Sequence, residues 1–265
     1  MDLRVSLVQS TIFWEDKSRN LSHYGGLLES LAGKTDLVVL PEMFSTGFSV
    51  SNNRHLAESN EGLTVETIKK WAKDYDFAVC GSFLACENEK LYNRGFFATP
   101  DGTISFYDKR HLFRMGDENK NFTAGEKQLI VSYKGWNICL IVCYDLRFPV
   151  WSRNVGKAYD LLICPANWPV VREKAWNVLL KARALENYCY VCGVNRVGED
   201  GYDNHYRGDS QLIDYKSNVV VFCDPDKEMI TTGILKKEAL EHFREKFPVW
   251  LDADGFEIVM KNTKI

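Results

Sequence analysis

The apolar residues of this chain fall into many short runs interleaved with longer amphipathic stretches, and that pattern constrains the fold more than any single motif. Residues 3–8 alternate as a half-buried strand, residues 20–31 carry apolar positions near helical spacing, and residues 37–40 form a short run stopped by Pro41. Residues 64–75 place Val65, Ile68, Trp71 and Ala72 along one helical face. Strands are predicted over 78–84, 91–99 and 103–107, the last two joined through Pro100-Asp101-Gly102, a hairpin signal. Further strands are predicted over 129–133, 136–144, 161–165, 189–197 and 210–213, and the strongest internal helix over 175–187. Some strands are separated by helices and others by tight turns, so the sheet is mixed. Roughly a dozen strands must curl or split into two packed sheets.

The chain has 265 residues, 45% hydrophobic and 26% charged, enough to bury a core without staples. No linker, repeat or low-complexity segment divides it, which reads as one domain over residues 1–265. A net charge of −3 leaves no basic excess to collect phosphates, so nucleic acid is not an expected partner. Apolar runs such as 138–143 and 219–223 are far shorter than the roughly 20 residues that span a bilayer. Asp2, Arg4, Ser6 and Gln9 interrupt any apolar leader. A soluble cytoplasmic protein is expected. The eight cysteines lie mostly inside apolar stretches, where thiols act as small hydrophobes. Cys189 and Cys192 sit in a strand-like context with no second pair at zinc spacing, so no metal site is expected.

Chemistry gathers where the strands end. The run 37–41 leads into Glu42, 103–107 into Asp108-Lys109-Arg110-His111, 138–142 into Cys143, and 161–166 into Asn167-Trp168. Ligands of open α/β sheets bind beyond the carboxyl ends of strands. Each polar residue alone could simply mark where its strand stops; a carboxylate, an ammonium, a thiol and an amide together describe a site. A thiol nucleophile needs a base or a nearby positive charge. His111 could supply it, as in a Cys–His hydrolase. Alternatively Glu42 could take the thiol proton while Lys109 stabilises the thiolate and a developing oxyanion. The second arrangement would make Cys143 the fastest of the eight thiols to alkylate.

The segments Leu40-Pro-Glu-Met-Phe, Tyr107-Asp-Lys-Arg-His-Leu-Phe and Val142-Cys-Tyr-Asp-Leu-Arg-Phe-Pro resemble, in order and spacing, the three signature segments of the nitrilase superfamily of carbon–nitrogen hydrolases. The resemblance extends over nearly the whole chain, including Ala166-Asn-Trp-Pro and Lys181-Ala-Arg-Ala-Leu-Glu-Asn. It implies an α/β fold, a four-layer αββα sandwich of two mixed sheets, and a catalytic Glu42, Lys109 and Cys143. Glu118 would hold the lysine, although a solvated loop acid is its plain alternative. The backbone N–H of Tyr144 would bind the oxyanion. No metal or organic cofactor is implied. The chain looks most like the omega-amidase branch, which releases ammonia from the terminal amide of a short 2-oxo acid. One departure stands out: many members carry Glu after Arg-Phe-Pro or Arg-Phe-Ala, where this chain has Val150-Trp151 after Pro149.

On that footing the expected substrate is 2-oxoglutaramate or 2-oxosuccinamate, hydrolysed by water through a thioester. Arg147 would pair with the substrate carboxylate, unless it pairs with Asp145 to shape the turn. Phe44, Phe113, Asn167 and Trp168 would line the pocket, although aromatic residues serve equally well as core. The alternatives are another carbon–nitrogen hydrolase such as a carbamoyl-amine hydrolase, a cysteine acyltransferase, and a catalytically silent binding protein. The resemblance also implies a homodimer through the helices that follow the Cys143 segment.

Overall fold

The computed structural model describes residues 1–51 and 53–259. The chain forms strands β1 (Leu3–Gln9), β2 (Leu37–Val39), β3 (Ala78–Glu87), β4 (Lys90–Ala98), β5 (Ile104–Asp108), β6 (Leu129–Tyr133), β7 (Trp136–Leu140), β8 (Leu161–Ala166), β9 (Tyr190–Asn195), β10 (Val197–Glu199), β11 (His205–Arg207), β12 (Gln211–Ile213), β13 (Val219–Phe222) and β14 (Met229–Leu235). The helices are α1 (Lys17–Glu29), α2 (Leu63–Tyr75), α3 (Glu118–Asn121), α4 (Glu173–Asn187) and α5 (Lys237–Lys246).

Two six-stranded mixed sheets result, in the orders β14-β1-β2-β3-β4-β5 and β13-β12-β9-β8-β7-β6, with β10 and β11 as a separate hairpin. Side-chain alternation splits the first sheet cleanly. Leu3, Val5, Leu7, Leu37, Val39, Ala78, Cys80 and Phe97 face the second sheet, in one core with Ile138, Leu140, Leu162, Cys164 and Val191. Val38, Leu40, Val79, Phe83, Phe96 and Ala98 face outward beneath Tyr24 and Leu28 of α1 and Ile68 and Trp71 of α2. α4 covers the far side of the second sheet so closely that a Cβ on Gly193 would meet Leu180 at 2.6 Å. The four-layer α/β sandwich is the architecture expected from the sequence. No helix among the described residues is long and apolar enough to cross a membrane.

The element boundaries differ from expectation where tertiary contacts intervene. The strand expected over 136–144 ends at Leu140, and Cys143–Arg147 form a 3-10 turn. The buried Asp145 carboxylate accepts the Val142 N–H at 3.0 Å, and Cys143 takes a left-handed φ of 46°. The strand expected over 189–197 breaks at Arg196, whose guanidinium bonds the carbonyls of Ile12 and Glu199 instead of following the ladder.

Candidate active site

In each sheet the parallel strands point the same way, and their carboxyl ends deliver the chemistry. Glu42 follows β2, Cys143 follows β7, and Asn167 follows β8. β5 is antiparallel to β4, which is antiparallel to β3, so the carboxyl end of β5 lies on that side too and carries Lys109. Glu42 and Cys143 both sit on strained turns: Met43, next after Glu42, has φ 46°, like Cys143 itself. A non-glycine residue held there costs energy that the surrounding contacts must supply, a device common at functional sites. For Met43 the contact is a hydrogen bond from its N–H to the Ser82 hydroxyl at 2.9 Å.

Lys109 is fully buried. Its ammonium donates to Glu42 Oε1 at 2.9 Å and to Glu118 Oε1 and Oε2 at 3.1 and 3.0 Å. Its backbone is fixed as well: the Lys109 N–H bonds Asn93 O, and the Gly125 N–H bonds Lys109 O, both at 3.0 Å. Gly125 runs so close that a Cβ there would fall 2.0 Å from the Asp108 carbonyl oxygen. Glu118, on the four-residue α3, is buried and also accepts the Phe113 N–H at 2.6 Å, so it is no solvated loop acid. Asn93 on β4 donates to Glu42 at 2.7 Å and to Glu118 at 3.1 Å, and its amide orientation is set by the Ser82 hydroxyl donating to Asn93 Oδ1 at 2.9 Å. The other Glu42 oxygen accepts the Asn167 N–H at 2.8 Å.

Two buried acidic side chains thus share one buried ammonium. Burial alone would lower the Lys109 pKa, but Glu118 and Glu42 outweigh it and hold the ammonium well above its ordinary value. Burial raises Glu118 against the pull of Lys109, and the like charge of Glu42 adds to the rise. Burial also pushes the Cys143 thiol well up, Glu42 pushes it further, and Lys109 opposes both without prevailing. Burial and Glu42 therefore favour the thiol over the lysine-stabilised thiolate expected from the sequence. A thiol can attack a carbonyl only as a base removes its proton.

Beyond this cluster opens a cavity of about 540 Å³, lined by Glu42, Lys109 and Cys143 at its floor. Phe113, Arg147, Asn167 and Trp168, named for the pocket from the sequence, line it, and Tyr144 lines it too. Phe44 does not. Its N–H bonds Ser82 O at 3.1 Å, which turns the ring into the core against Tyr24 and Phe96. Phe48 lines the cavity in its stead, with the Lys109 ammonium 5.2 Å from its ring centre. Arg147 does not pair with Asp145; it lies over the Trp168 indole at 4.9 Å. Asp145 instead accepts from the Tyr107 hydroxyl at 2.7 Å and the His111 N–H at 2.8 Å, and lies 2.8 Å from His111 Nδ1. It thereby ties the nucleophile turn to the residues flanking Lys109. His111 stacks on Phe148 and does not line the cavity, which removes the support for a Cys–His pair.

Ser82, Asn93, Phe48, Arg172 and the hairpin residues Tyr202, Asn204 and Tyr206 escaped the sequence reading. A polar residue at the inward position of an otherwise apolar strand was the available signal for Ser82 and Asn93. For the others no local signal existed.

Comparison with known proteins agrees with this fold. The carbon–nitrogen hydrolase profile matches residues 4–245. An omega-amidase of Escherichia coli strain K12, YafV, is 42% identical over 256 residues, covering 97% of this chain and 98% of the relative. A 2-oxoglutaramate amidase of Bacillus subtilis strain 168 is 32% identical over 255 residues, covering 95% and 98%. Among solved structures, XC1258 of Xanthomonas campestris, described as a CN-hydrolase superfamily protein with an arsenic adduct in its active site, superposes with a TM-score of 0.95 at 44% identity, covering 98% of this chain and all of that one. Nit3 of Saccharomyces cerevisiae, from the nitrilase superfamily, gives 0.86 at 25% identity, covering 94% and 95%.

Proposed function

The chain belongs to the carbon–nitrogen hydrolase family and is an amide-hydrolysing enzyme; from that premise we propose that it releases ammonia from a short 2-oxo acid amide, 2-oxoglutaramate or 2-oxosuccinamate, through a thioester on Cys143. The observation that carries the mechanism is the buried Glu42–Lys109–Glu118 cluster, with Glu42, Lys109 and Cys143 lining one cavity.

Glu42 takes the Cys143 proton as sulfur bonds the amide carbon. The carbonyl electrons move to oxygen, and the oxyanion is met by the Tyr144 N–H, which begins a 3-10 turn with no earlier turn to bond. The Lys109 hydrogens are already engaged by the two carboxylates, so the lysine acts on the oxyanion through its charge. Glu42 then gives its proton to the leaving nitrogen, the C–N bond breaks and ammonia departs. Water loses a proton to Glu42 and attacks the thioester carbon. The C–S bond breaks, the sulfur regains the proton from Glu42, and the carboxylic acid leaves. Glu118 and Asn93 hold Glu42 and Lys109 in place through the cycle. No metal or organic cofactor enters this scheme.

Substrate choice rests on Arg147, half-buried and held over Trp168, as the partner of the 2-oxo acid carboxylate. Phe48, Phe113 and Trp168 give the cavity apolar walls suited to a short chain. The relatives named for omega-amidase and 2-oxoglutaramate amidase activity support the same class. The test compares ammonia release from 2-oxoglutaramate, 2-oxosuccinamate, glutamine, asparagine, a carbamoylated amine and a simple nitrile, with mass spectrometry for an acyl adduct on Cys143. The 2-oxo acid amides are expected to turn over fastest and to form the adduct; faster turnover of the carbamoylated amine defeats the substrate reading and leaves the thioester scheme intact.

The working form is a homodimer of one-domain chains. Val178 and Leu185 are exposed at seven-residue spacing along α4, and Val150, Val155 and Val171 are exposed as well. A chain-mass species in sedimentation at micromolar concentration counts against it. The eight free thiols fit a reducing, cytoplasmic location.

A further inference from the structure

The cavity wall carries two guanidiniums that the chemistry at Cys143 does not use. Arg147 closes the nucleophile turn and lies over Trp168 at 4.9 Å. Arg172 immediately precedes α4 and lies over the Phe113 ring at 5.1 Å. The ring beneath Arg147 is tied to the Arg172 backbone, because the Trp168 indole N–H donates to Arg172 O at 2.8 Å. Both arginines are half-buried, both line the cavity, and among the described residues neither has a carboxylate within ion-pair distance. The acids of the lining are accounted for: Glu42 is bound to Lys109, and Asp117 pairs with Lys120 at 2.9 Å. The outer cavity thus presents two positive charges with no acid among the described lining residues free to face them.

One carboxylate needs one guanidinium, so Arg172 is surplus to the recognition assigned to Arg147. We infer that Arg172 is a specificity-determining residue. With Arg147 it forms a two-cation clamp that accepts a carboxylate together with the electron-rich oxygen next to it, and repels the α-ammonium of the matching amino-acid amide. The inference deepens the 2-oxo acid amide reading and rests on it. Its physical basis is simple: a 2-oxo oxygen accepts a guanidinium N–H, whereas an ammonium at the same carbon offers only donors and like charge. Seating each guanidinium on an aromatic face limits its motion and leaves its N–H edges for the ligand. A purely structural role, covering the Phe113 ring with an aliphatic stem, is the competing account.

The experiment uses Cys143→Ala, which binds amides without consuming them, and measures affinity for 2-oxosuccinamate, succinamate and asparagine by calorimetry. The three ligands share a carboxylate and a terminal amide and differ only in bearing an oxo oxygen, hydrogens or an ammonium. 2-Oxosuccinamate is expected to bind tightest and asparagine weakest. Adding Arg172→Met keeps an apolar cover on Phe113 and removes the charge. It is expected to weaken 2-oxosuccinamate at least tenfold, leave asparagine nearly unchanged, and shrink the gap between them at least tenfold. A gap that survives Arg172→Met, an equal loss for all three ligands, or no binding of any of them overturns the inference. The amidase reading fails by a different sign: the chain with Cys143 intact then releases no ammonia even from a neutral short amide.

Discussion

The two sheets of this protein share one pattern of pairing and put it to different uses. From β14 to β5, and again from β6 to β13, the neighbours run antiparallel, parallel, parallel, antiparallel, antiparallel. The first sheet and its loops supply Glu42, Asn93, Lys109 and Glu118, all fully or almost fully buried and bonded to one another. The second supplies Cys143, Arg147, Asn167, Trp168 and Arg172, whose cations rest on rings and face open space. One half holds charged groups in fixed positions; the other carries Cys143 and lines the cavity with cations and rings. Asp145 joins them, since it belongs to the nucleophile turn and binds Tyr107 and His111 on either side of Lys109.

If that division is correct, variants in the two halves fail differently. Glu42→Gln keeps the side-chain shape and removes the base, so kcat should fall by about 10³ with KM little changed, general acid–base groups contributing about 10²–10⁴. Steady-state kinetics on the best 2-oxo acid amide check this; near-normal kcat breaks the comparison at its strongest point. Arg147→Ala should instead lower kcat/KM for 2-oxo acid amides by at least about tenfold, mostly through KM, the equivalent of about 1.4 kcal/mol. A neutral short amide should lose much less, and equal losses on both would place Arg147 with the structural residues.

A third expectation needs no substitution and concerns the resting sulfur. A thiol raised by burial and by Glu42 leaves a thiolate fraction that climbs with pH, so iodoacetamide labelling of Cys143, read by peptide mapping, should accelerate about tenfold per unit from pH 6 to 8. The sign follows from the direction of the shift: below a raised pKa the reactive form grows steadily, whereas a lysine-stabilised thiolate would give a plateau. Cys86, half-buried and outside the cavity, serves as the internal reference.

Much of this was legible in the residues. Alternation in 3–8, the Pro100-Asp101-Gly102 turn and the run 129–133 are local signals, and each element formed within a residue or so of its expected place. β14 was not legible: Thr231, Thr232 and Gly233 dilute its apolar pattern, and it exists because β1, from the opposite end of the chain, pairs with it along its full length.

By itself the sequence determined the strand-and-helix alternation and the order Glu42, Lys109, Cys143 at strand ends, because periodicity and turn chemistry act between near neighbours. Only the tertiary structure decided that Phe48 rather than Phe44 lines the cavity, that Ser82 and Asn93 orient the carboxylates, and that Arg172 lines the same cavity as Arg147 without an acid partner among the described residues. It also set burial and Glu42 against Lys109 at the Cys143 thiol. Charge and desolvation act through space, over groups from opposite sheets, and nothing in the linear spacing of Glu42, Lys109, Glu118 and Cys143 says how much water lies between them.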